Sequence, residues 1–111
     1  MVKKNLVYIK MKMETGNNAL YKPWKNTTKS QYKYWVNVKS DNKKGYKKIG
    51  FGNKKYQQFK DKIGEYSDLD HGDPIRRKSY LARAKGIKNK KGELTWKNKN
   101  TSNWWSIHKL W

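Results

Sequence analysis

Between Tyr32 and Lys39 the side chains alternate, with Tyr32, Tyr34, Val36 and Val38 on one parity and Lys33, Trp35, Asn37 and Lys39 on the other. A period of two marks a strand with one buried face. The run Ser40-Asp41-Asn42-Lys43-Lys44-Gly45 then reads as a turn, and Tyr46 to Gly52 as the returning strand of a hairpin, with Ile49 and Phe51 on one face. The same alternation at Val7, Ile9, Met11 and Met13, against Tyr8, Lys10 and Lys12, predicts a further strand. The polar stretch from Thr15 to Ser30, with Pro23, reads as a loop anchored by Tyr21 and Trp24.

Beyond Asn53 the pattern turns helical. Tyr56, Phe59 and Ile63 stand at helical spacing over Lys54 to Lys62, two turns that Gly64 would stop. Asp73-Pro74 is a helix start, since the carboxylate caps free N–H groups and proline at the first helical position gives up no hydrogen bond. That helix runs to about Lys85 before Gly86, with Tyr80, Ala84 and Ile87 expected inward and Arg76, Ser79 and Arg83 on another face. Thr101 or Ser102 can cap a last helix in which Trp104, Ile107 and Trp111 share a face. These elements predict an α+β fold: a small antiparallel β-sheet of about three strands, containing the hairpin 32–52, followed by two or three short helices. One basic domain over 1–111 is expected, mainly β over 1–53 and mainly helix and loop over 54–111.

Charge changes this picture more than length does. The 111 residues hold 28 Lys and Arg against eight Asp and Glu, a formal net charge of +20. Such charge usually marks a disordered chain, yet two Phe, six Trp and eight Tyr supply large buriable surfaces. A folded domain with a polyanion-attracting surface reconciles the two. All but three of the basic residues, Arg76, Arg77 and Arg83, are Lys; Lys and Asn have A-rich codons, so base composition can inflate them, and the arginines carry more information. The acids cluster from Asp61 to Asp73, beside those arginines.

The absence of Cys excludes a disulfide framework, Cys-ligated zinc and a thiol nucleophile. No apolar run approaches 18 residues, so no membrane span is expected, and Lys10 and Lys12 interrupt the only candidate signal-peptide core. No cofactor is implied.

Asp68, Asp70 and His71 offer oxygen and nitrogen ligands, which raises a metal site or a metal-dependent nuclease. However, Gly72 stands where an EF-hand loop needs its third oxygen. The preferred reading is structural: Asp73 caps its helix and faces Arg76 and Arg77, while Asp70, beside His71, or Asp68 completes an ion-pair network. Arg76, Lys78 and Arg83 are candidates for gripping phosphates. On the sheet, Lys33, Lys47 and Lys48 are the candidate cations, and Trp35, on the Lys face of its strand, is the candidate for stacking a base. The other rings, repeatedly flanked by Lys as in Trp96-Lys97, read mainly as core. Neither His71 nor His108 has a nucleophile or paired acid around it, and an enzyme is not expected.

The run Asp70-His71-Gly72-Asp73-Pro74-Ile75-Arg76-Arg77-Lys78-Ser79-Tyr80-Leu81-Ala82-Arg83 resembles a family of small basic proteins of giant nucleocytoplasmic large DNA viruses. Phe51-Gly52, Tyr56, Phe59-Lys60-Asp61 and the Trp-rich Trp105 to Trp111 extend the resemblance over about residues 32–111. It departs at Ala84, where that family usually has His. The resemblance implies a viral setting, in the virion or viral factory, and no established activity. The leading expectation is a viral structural protein that binds nucleic acid, duplex DNA foremost, through phosphates and so with little sequence preference. Its rival is a minor capsid or cement protein whose partners are acidic surfaces of capsid or core proteins.

Overall fold

A computed structural model describes residues 19–111. Two strands, β2 (Tyr32–Lys39) and β3 (Tyr46–Asn53), form the antiparallel hairpin that the alternation predicts, with Tyr34 opposite Phe51 and Val36 opposite Ile49. A two-residue strand, β1 (Trp24–Lys25), pairs antiparallel with the outer edge of β2, giving the order β1-β2-β3. The third strand therefore arises inside the segment expected as a loop, and the strand expected at residues 7–13 lies outside the described residues. Asn26 makes the return possible: its side-chain oxygen accepts from the Thr28 N–H and hydroxyl, while its amide donates to the Tyr32 carbonyl.

Two helices follow, α1 (Pro74–Ala84) and α2 (Ser102–Leu110), so the fold is a small α+β one. Both starts match their capping residues: Asp73 accepts from the Ile75 and Arg76 N–H groups, and Thr101 from that of Trp104. The helix expected over Lys54 to Lys62 does not form. Its backbone bonds outward instead, Gln58 with Leu69 and His71, Lys60 with Leu110 and Lys62 with Lys109. Three apolar residues at helical spacing are a weaker force than these long-range ladders, and 54–62 becomes a strap across the hairpin's open end. Among the described residues no helix is long and apolar enough to cross a membrane.

The core is aromatic. Tyr34 stacks on Phe51 with centroids 5.5 Å apart, Phe51 meets Trp105 at 5.9 Å, and Tyr66 closes edge-on against Tyr34. Each such pair contributes about 0.5–1.5 kcal/mol beyond its buried area. Val36, Val38 and Leu110 fill the remainder. In α2 the buried residues are Trp105, Ile107 and Leu110, whereas Trp104 and Trp111, expected with Ile107, are half-buried. The helix lies between two neighbours, which explains the split: Trp105 faces the sheet and Trp111 stacks on Tyr80 of α1 at 4.0 Å. On α1, Ala84 is buried as expected, but Ile87, past the helix end, is exposed.

The alternation of β2 breaks twice, at Lys33 and Tyr34, both buried, and at Asn37, buried between Val36 and Val38. Opposite Lys33 stands Gly52, with φ +72°; a Cβ there would lie 2.7 Å from Leu110 Cδ1 and 3.1 Å from Lys33 Cδ. Glycine thus permits both the left-handed backbone at this point of β3 and the close approach of α2.

Candidate nucleic-acid interface

Lys33 corrects the simplest reading of the sheet. Expected on an exposed Lys face gripping phosphate, it is 1 % exposed, and its ammonium donates to the Tyr56 carbonyl at 2.7 Å and to Gln58 Oε1. Burial pushes its pKa below the usual lysine value, while the charges of Asp61, Asp70 and Asp68 pull it back. The strap covers it, so period-two parity could not place it.

The same strap absorbs the acids. Asp61, buried, accepts the Ile63 and Gly64 N–H groups on one oxygen and the Tyr66 N–H and Tyr34 hydroxyl on the other. The Tyr34 phenol is held well above its usual pKa, first by burial and then by that bond to Asp61. Asp70 accepts from the Gln58 side-chain amide and the Asp61 N–H. Neither acid meets an arginine, and the ion-pair network expected of Asp70, Asp73 and Arg77 is absent among the described residues, where Lys25 to Glu65, at 3.8 Å, is the one ion pair. Backbone N–H groups of a tight loop out-compete guanidinium for these carboxylates because they are fixed in place and need no side-chain ordering.

Arg77 instead donates to the Trp111 main-chain oxygen at 2.7 Å and lies over Phe59, a structural role. His71 sits between Phe59 and Trp111, its Nδ1 accepting the Asp73 N–H at 2.9 Å, while its buried Nε2 has no partner. Burial, then the Arg76 charge, lowers its pKa. The folded state therefore takes up this proton less readily than the unfolded chain, so the contribution of neutral His71 is intact above the usual histidine pKa and lost as pH falls below it. Urea midpoints measured from roughly pH 7 down to 5, the range in which histidine titrates, should decline, and decline less steeply in His71→Phe. Parallel profiles would remove His71 as the cause.

With Asp61, Asp70 and Asp73 engaged by main-chain and amide donors, the cations of α1 face solvent. Helical spacing puts Arg76, Ser79, Tyr80 and Arg83 on one side, where they form one wall of an open groove of about 670 Å³. Lys55, Tyr56 and Gln57 of the strap form the other wall, and Arg76 donates to Gln57 Oε1 at 2.9 Å across it. Trp111, its ring 8° from parallel with that of Tyr80, also lines the groove. Lys78 is exposed but does not line this groove.

The sheet candidates scatter. Trp35 is half-buried and carries the Lys48 ammonium over its ring at 4.3 Å, so one face is taken. Lys47 pairs with Val38 and lines a separate hollow near the hairpin tip with Lys39 and Lys44. Of the expected grip, the structure brings together Arg76 and Arg83. It adds Lys55 and Tyr56, which the sequence reading left out because the expected helix turned Tyr56 inward beside Phe59. The signal that could have found them is the Lys-aromatic adjacency noted elsewhere in the chain. Comparison with family models, with curated proteins and with solved structures gives no match.

Proposed function

We propose that this protein is a non-enzymatic binder of nucleic acid that holds phosphates largely without regard to sequence. One observation carries the reading: Lys55, Arg76 and Arg83 converge on a single open groove with no acidic residue in its lining. Guanidinium groups match phosphate oxygens in pairs, and their contacts to the backbone carry no base information. Exposed lysines of the sheet and of the Lys/Asn-rich loop add positive charge elsewhere on the surface. In the setting that the resemblance implies, a virion or viral factory, the partner is the viral genome.

Binding titrated with salt against duplex DNA, single strands, RNA and heparin tests the reading. If the three groove cations and a similar number of neighbours each meet a phosphate, the roughly six contacts give a log-log slope near −5 for duplex DNA. Affinity that does not change between low and physiological salt would sink the proposal, and equal binding to heparin would reduce it to charge alone. A cement protein on acidic capsid surfaces is the competing reading, supported by the exposed Ile75 beside Tyr56. Location in the shell of purified particles, outside the genome compartment, would favour it.

A further inference from the structure

Among the described residues three large hydrophobic side chains are exposed, Tyr56, Ile75 and Ile87, and the first two line the cationic groove. Tyr56 is 66 % exposed, yet its backbone is fixed at both ends of the residue: its N–H donates to the Asn53 carbonyl at 3.1 Å, and its carbonyl accepts from the buried Lys33 ammonium. The ring thus stands in solvent on a rigid mount. It also lines a second hollow of about 360 Å³, which shares Tyr56, Gln57, Tyr80 and Trp111 with the groove. The two hollows differ in chemistry. Lys55, Arg76 and Arg83 line the first with exposed cations, whereas the second is lined mainly by neutral groups, among them Gln31, Asn53 and Ser102, and its one cation, Lys33, is already held by the Tyr56 carbonyl and Gln58.

We infer that this double hollow takes unpaired nucleotides, one base stacking on Tyr56 beside the amide-lined side while Arg76, Arg83 and Lys55 hold the flanking phosphates. The inference rests on the phosphate-binding reading and narrows it. A duplex keeps its bases paired and stacked inside and presents phosphate outside, so it uses the cations and leaves the ring idle. An unpaired base offers a π-face of the size of the tyrosine ring, and stacking of this kind tolerates any base. The largely neutral lining then meets base edges, its one ammonium being already engaged, and a tyrosine on a fixed backbone has only its two side-chain torsions to order on binding.

The test uses the full chain with a labelled single strand and an abasic strand of equal length and charge, at one salt concentration. The natural strand should bind about tenfold tighter, within the range for stacking one base. Tyr56→Ala should remove that advantage and Tyr56→Trp should preserve it; because the side chain is mostly in solvent, circular dichroism should show both variants folded. Equal affinity for the two strands, or an advantage that survives Tyr56→Ala, overturns the stacking assignment, and leaves Tyr56 and Ile75 as anchors for a protein partner with the phosphate reading intact. Failure to bind either strand in a salt-dependent way overturns the phosphate reading as well.

Discussion

Asp61→Ala should destabilise the domain by about 3–5 kcal/mol, a large share of the 5–15 kcal/mol typical of folded proteins. The carboxylate receives three backbone N–H groups and the Tyr34 hydroxyl, and alanine would leave all four without their acceptor. Tyr34 is fully buried, so no water replaces the lost partner without opening the core. Asp61→Asn keeps one oxygen and should cost roughly half as much, since fewer donors are stranded. Urea denaturation measures both, as a fall in midpoint at constant slope. A loss under about 1 kcal/mol, the size of one ordinary hydrogen bond, would mean that the 61–66 loop is held by something other than this carboxylate.

The second large effect is on binding. Arg76→Ala/Arg83→Ala should weaken duplex affinity about 100-fold at low salt and reduce the magnitude of the salt slope by about 1.8, the share of two phosphate contacts. Neither arginine is buried, so the variant should remain folded. Lys88→Ala/Lys91→Ala removes the same charge from the loop after α1 and serves as the matched control. If both doubles lower affinity equally, the groove has no privileged role and diffuse charge accounts for binding.

Where local pattern and local chemistry coincide, the sequence foretold the structure. The hairpin follows from alternation around a six-residue polar turn, and α1 from Asp73-Pro74, because strand parity and helix capping are decided by residues a few positions apart. What escaped was decided at long range. Lys33 is buried because a strap 25 residues away covers it through Gln58. Tyr56 is exposed because that strap is not a helix, its amides being committed to the Leu69 and Lys109–Leu110 regions. Asp61, Asp70 and Asp73 were legible as structural but not in their partners: charge complementarity pointed to the adjacent arginines, whereas backbone N–H groups, joined at Asp70 by the Gln58 amide, take these carboxylates. The site was half visible for the same reason. Arg76 and Arg83 share a helical face by spacing alone, but the opposite wall is supplied by a segment whose course no local pattern records.

The way the acids are spent has a practical side. Several lysines of the described chain rest over aromatic rings, Lys48 on Trp35, Lys99 on Tyr21 and Lys85 on Trp96, and internal cohesion runs through ring packing and bonds to backbone rather than through ion pairs. Molar salt, which shortens electrostatic reach to about 3 Å, therefore acts on the phosphate contacts far more than on the fold. Polyanions carried over from the expression host can be washed off a column-bound sample without unfolding it, and the clean protein returned to low salt ready to bind.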